Sequence, residues 1–128
     1  MKMSDLLDSL DHVTIITKNL TETINFYINI LGMEIDNNRP PFNFEGAWLS
    51  LNKRPIVHII LKDNHINSSE QPTLDHIAFR AINIKKIKTH LENSNISYEE
   101  KFTPDNKVHQ IFTIDPNGIK IELSKQLK

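Results

Sequence analysis

The sequence predicts an α+β fold made of two βαβββ modules whose strands curl into one mixed sheet around a central cavity. Three observations carry this. Leu10-Asp11-His12-Val13-Thr14-Ile15 is echoed by Leu74-Asp75-His76-Ile77-Ala78-Phe79, an offset of 64 residues in a chain of 128, and self-similarity at half the length marks a doubled unit. Each copy runs on into a segment with helical spacing of apolar residues. Each of those is followed by three short runs with strand-like alternation.

In chain order, the first strand is the repeat itself. Val13 and Ile15 point to one side and His12 and Thr14 to the other, because neighbouring strand residues face opposite ways. A helix follows. Asn19 can cap its start with Glu22 three residues on, Leu20, Ile24, Tyr27 and Leu31 form its apolar stripe, and Gly32 can close it. Strands are expected at 33–37, 47–51 and 56–61. The polar segment 62–73 reads as a linker. In the second copy Ile77 and Phe79 alternate with His76, Ala78 and Arg80. Asn83 caps a helix with Ile84, Ile87 and Leu91 on its stripe, and Asn95 takes the left-handed position. Strands at 96–100, 110–114 and 119–124 complete it, the last two joined by the turn Asp115-Pro116-Asn117-Gly118. The expected organisation is a single domain over 1–128, with modules at 8–61 and 74–125.

Composition narrows the function. Fifteen Lys+Arg against sixteen Asp+Glu give a net charge of −1, which provides no basic field for nucleic acid. With 38% hydrophobic and 24% charged residues, the chain reads as globular, and no apolar run approaches the roughly 20 residues a membrane span needs. Residues 1–7 lack the apolar core of a signal peptide, so the expected setting is cytoplasmic. With no Cys and six His, any transition-metal site is built from imidazole and carboxylate.

Four residues answer that description. On the fourth strand of each module, His58 and Glu122 share the open face with His12 and His76, and they are themselves 64 residues apart. One pseudo-twofold axis can relate all four. Three imidazoles and a carboxylate suit a divalent first-row metal such as Fe, Mn, Ni, Co or Zn, and leave two coordination positions for a substrate with neighbouring oxygens. His58 can alternatively sit beside the metal and contact substrate, and either Glu122 or His58 can serve as a base. Trp48 and Phe112 also stand 64 apart and offer aromatic walls. Gln110 shares the face of Phe112, Arg80 shares the face of His76, and the 36–46 segment brings Arg39 and Phe42 to a covering loop, so these six are expected to line a small substrate pocket. His65, His90 and His109 have no partner at the offset. They read as linker surface, helix surface, and loop or strand edge.

The doubled Leu-Asp-His opening, Phe26-Tyr27 with Ile30-Leu31-Gly32-Met33 after the first helix, and the closing run from Phe112 to Leu123 resemble the vicinal oxygen chelate superfamily. That superfamily includes glyoxalase I, fosfomycin-resistance proteins, methylmalonyl-CoA epimerase, extradiol dioxygenases and bleomycin-resistance proteins. The resemblance implies that His12, His76 and Glu122 match metal ligands, and that His58 stands where glyoxalase-like and epimerase-like members place Glu or Gln. It implies a divalent-metal-dependent enzyme acting on a small molecule, often as a homodimer. Lyase or isomerase chemistry of the lactoylglutathione lyase kind is preferred. An Fe(II) extradiol ring-cleavage enzyme and a metal-free drug-binding resistance protein are the alternatives.

Overall fold

The computed structural model describes residues 2–6, 8–66 and 74–127; residues 67–73 of the expected linker lie outside them. After a short 3₁₀ turn at Met3–Asp5 come β1 (Val13–Thr17), α1 (Leu20–Asn25), β2 (Glu34–Ile35), β3 (Gly46–Leu51) and β4 (Arg54–Leu61). The pattern then recurs as β5 (His76–Arg80), α2 (Ile84–Asn93), β6 (Glu99–Phe102), β7 (Val108–Ile114) and β8 (Lys120–Gln126). Each copy forms its own four-stranded sheet, in the orders β1-β4-β3-β2 and β5-β8-β7-β6. The first strand of each lies parallel to the fourth, with Thr14 opposite His58 and Ala78 opposite Glu122. The doubling therefore extends to register.

The α+β fold of two βαβββ modules is as expected, and its strands make two four-stranded mixed sheets that are not closed on each other. β1 and β5 each use one hydrogen-bonding edge on the neighbouring strand, and neither edge strand bridges to the other sheet. A strand edge left in that state is a surface for further pairing.

Local signals form as read. The Asn19 side chain accepts from the Glu22 amide at 3.0 Å and donates to its carboxylate at 3.1 Å. Asn83 accepts from the Lys86 amide at 3.0 Å. Gly32 (φ 75°) and Asn95 (φ 58°) take left-handed conformations at the two helix ends. β6 begins later than expected because the Ile96 amide is committed to the Leu91 carbonyl at 2.9 Å, finishing α2 before the chain extends. After α1 the chain widens into a π turn over Phe26–Ile30. This brings the consecutive Phe26 and Tyr27 inside together, where a regular helix would separate them by about 100°.

The core combines residues from both halves, with Leu49, Val57 and Ile59 from one sheet and Ile111 and Ile121 from the other fully buried. A polar seam ties the halves together. Tyr27 donates to Asp115 Oδ2 at 2.8 Å, Thr17 donates to Asn117 Oδ1 at 2.7 Å, and Asn117 Nδ2 donates to Thr23 Oγ1 at 3.0 Å. His90 is more than helix surface, since its Nε2 reaches the carbonyls of Asn29 and Ile30 at 3.2 and 3.1 Å. His109 sits within β7 and contacts Glu100 through Nε2 at 2.5 Å.

Candidate metal centre

Each module delivers a pair. In the first, the His12 ring lies flat on His58, with centroids 3.8 Å apart and planes 16° from parallel. Trp48, the register partner of His58 on β3, stacks on that imidazole's ring at 4.1 Å and 8°. In the second, His76 Nε2 stands 3.0 Å from Glu122 Oε1. Gln110 donates to the other Glu122 oxygen at 3.3 Å. Phe112, opposite Glu122 in the ladder, meets the His76 ring edge-on at 6.2 Å.

One device orients both first-strand imidazoles. His12 Nδ1 is 2.6 Å from Asp11 Oδ2, and His76 Nδ1 is 2.7 Å from Asp75 Oδ2. The histidine hydrogen bond holds each of these carboxyls below the ordinary aspartate range, with Lys120 assisting at Asp75. A neutral imidazole has one N–H. When Nδ1 gives it to the aspartate, Nε2 is left with a lone pair, the state a metal ligand requires.

This donor chemistry fits a divalent ion. His76 Nε2 and Glu122 Oε1 face each other at 3.0 Å, and in the tautomer that gives Nδ1–H to Asp75 both are acceptors, an arrangement that a cation would relieve. His58 Nε2 is buried without a hydrogen-bond partner among the described residues, and burial, followed by the neighbouring His12, pushes this imidazole's pKa down and keeps it neutral. An unpaired buried polar nitrogen costs roughly 1–3 kcal/mol, and ligation would satisfy it.

The four residues nevertheless come as two pairs. Among the described residues no group of three His, Cys, Asp or Glu side chains is placed to hold one ion. The sheets carrying the pairs do not close on each other, so each pair stays with its own sheet.

The surrounding residues divide the same way. Arg39 and Phe42 pack over Trp48 from the 36–46 loop, joined by Phe44, which the sequence reading missed. Gln110 and Phe112 belong to the second pair. Arg80 instead lines a cleft of about 370 Å³ between the modules, with Leu31, Met33, Phe79 and Leu91. Lys101 and Lys120 were also missed; each ammonium sits against the Phe112 ring, at 5.6 and 5.8 Å from its centroid.

A doubled βαβββ frame with imidazole and carboxylate at matched strand positions is the signature of a glyoxalase-type protein. The model of the Glyoxalase/Bleomycin resistance protein/Dioxygenase superfamily matches residues 9–123, and the chain belongs to that superfamily. Among curated relatives, Glyoxylase I 4 of Arabidopsis thaliana is 33% identical, the match covering 91% of this chain and 70% of the plant protein. A glyoxalase family protein from Enterococcus faecalis superposes with a TM-score of 0.76 at 27% identity, over 93% of this chain and 98% of that one. A fosfomycin resistance protein from Listeria monocytogenes shares the fold, with a TM-score of 0.74 at 18% identity over 94% and 95% of the two chains.

Proposed function

We propose that this protein is a divalent-metal-dependent enzyme acting on a small substrate with two neighbouring oxygens, by lyase or isomerase chemistry, and that it works as a homodimer. In this reading the His12–His58 pair of one copy meets the His76–Glu122 pair of the other, and the four hold one ion. The observation that carries the reading is the matched Asp–His pair beside the first strand of both sheets, which twice in one chain occupies Nδ1 and leaves Nε2 for a ligand. The open β1 and β5 edges support assembly between copies.

When bound, the ion supplies Lewis acidity toward the two substrate oxygens. The chain supplies the rest. Asp11 and Asp75 fix the ring tautomers. Glu122, with one oxygen on His76 and the other held by Gln110, is the proton acceptor, and Gln110 keeps Oε2 aimed while the proton moves. Trp48 and Phe112 exclude water from opposite sides.

The test is metal content and complementation. Wild-type protein should take up about one Zn, Ni, Co, Mn or Fe ion per chain and melt at higher temperature with it, since a ligand bound only to the folded state stabilises that state. His12→Ala and Glu122→Ala should each lose the ion. Unfolding and refolding equal amounts of the two variants together should restore about a quarter of the wild-type metal, because half of the dimers are mixed and one of the two sites in each of those is intact. No metal response in the wild type overturns the enzyme reading in favour of a metal-free binder. Metal uptake by the wild type without complementation overturns the shared site.

A further inference from the structure

The 36–46 loop holds a feature that the metal chemistry does not need. Phe42 and Phe44 stack at 4.9 Å and 16° while remaining 43% and 41% exposed. Phe42 approaches Trp48 at 6.5 Å and 51°, and Trp48 continues through His58 to His12. Five rings therefore run in one row from the loop tip to a candidate ligand. Between the loop and the sheet lies a slot of about 150 Å³, bordered by Thr14, Arg39, Phe42, Phe44, Trp48 and His58.

The loop is held in this shape. The Arg39 guanidinium lies over both loop phenyls, at 5.1 and 5.4 Å, and donates through Nη2 to the Phe44 carbonyl at 2.8 Å. At the loop's base Gly46 runs so close to β4 that a Cβ there would sit 2.1 Å from the Ile59 carbonyl oxygen. Exposed phenyls held open by a stacked arginine and a glycine-only contact are costly to leave facing water, and such a wall is useful when it has a flat ligand to cover.

We propose that this slot binds an aryl group, so that the substrate is an aromatic compound carrying its two adjacent oxygens a carbon or two from the ring. The placement of the oxygens rests on the metal reading; the aryl site does not. A cavity of about 150 Å³ is the size known to accommodate benzene. Ring walls favour a ring over an alkyl group of equal bulk through offset stacking and edge contacts. The slot borders His58 directly and is one ring away from His12, so a ring seated there puts its substituents beside the candidate ligands.

The experiment uses Trp48, the single tryptophan of the chain, as reporter, in chelator-treated protein. Its fluorescence is titrated with lactate, 3-phenyllactate and 3-cyclohexyllactate, which share the vicinal oxygens and differ only in the side group. 3-Phenyllactate should bind about tenfold or more tighter than lactate, from burial of the ring, and tighter than the cyclohexyl compound. In the Phe42→Ala/Phe44→Ala variant the three should come within about twofold. Equal binding of lactate and phenyllactate by the wild type overturns the proposal, as does equal binding of the phenyl and cyclohexyl compounds or a preference that survives in the double variant. Zn(II) titration of the same proteins is the separate readout. A wild type blind to Zn(II) overturns the metal reading while leaving the phenyl preference measurable.

Discussion

An imidazole becomes a ligand when the correct nitrogen keeps its lone pair, and here that choice is made by Asp11 and Asp75. Asp75 is largely exposed, with 64% of its side-chain surface accessible, so its removal should leave the fold intact and free His76 and, at the surface, Lys120. Asp75→Ala should weaken Zn(II) affinity by about ten- to a hundredfold, the usual effect of losing a partner that orients a metal-bound histidine. Competition with a chelator measures it, and a change under threefold would show that His76 is set by something else. The histidines were legible in the sequence because they recur at a fixed offset. The role of the aspartates was not. Alternation assigns adjacent strand residues to opposite faces, yet Asp11 and Asp75 precede β1 and β5, where alternation does not apply and the carboxylate folds back onto its neighbour.

At the scale of the element, strands and caps were readable because each depends on a few consecutive side chains. Asn19, Asn83, Gly32 and Asn95 all act where the pattern puts them. The π turn was not readable, since its cause is the burial of Phe26 and Tyr27 together against a surface made by the rest of the chain. The loop before β3 shows the same limit. Gly46 reads as an ordinary loop glycine, but its requirement comes from β4: a methyl group there would collide with the Ile59 carbonyl, which is backbone and cannot turn aside. Gly46→Ala should therefore cost about 1–3 kcal/mol, the range for forced overpacking, read as a lower denaturant midpoint at unchanged slope. A loss below about half a kcal/mol would mean that the loop's base can shift freely.

For the whole molecule, periodicity assigned the two modules and the open faces of their sheets but not how the sheets meet, because that depends on contacts between residues nearly a hundred positions apart. Tyr27 was counted as one more apolar stripe residue, and Asp115 as the first residue of a turn. Both are buried, and the Tyr27 hydroxyl gives its proton to Asp115 Oδ2 while the other carboxylate oxygen accepts the amides of Asn117 and Ile119 at 2.8 Å each. This is the most deeply buried hydrogen bond between the modules. Tyr27→Phe leaves an anionic acceptor short of a donor inside the protein and should cost about 1.5–3 kcal/mol near neutrality. The pH dependence has a definite sign. Burial, and then the Asp115 charge, raise the Tyr27 pKa from its ordinary 10.0, so the stabilisation is complete below pH 10 and is lost as pH rises above it. There the unfolded chain releases the phenolic proton while the folded chain retains it. Each pH unit above 10 should remove about 1.4 kcal/mol from the wild type and nothing from the Phe variant through this group. The stability gap measured at pH 8 should therefore narrow between pH 10 and 11. Parallel curves for the two proteins across that interval would show that Tyr27 ionises as readily folded as unfolded, and that the seam between the halves is wet.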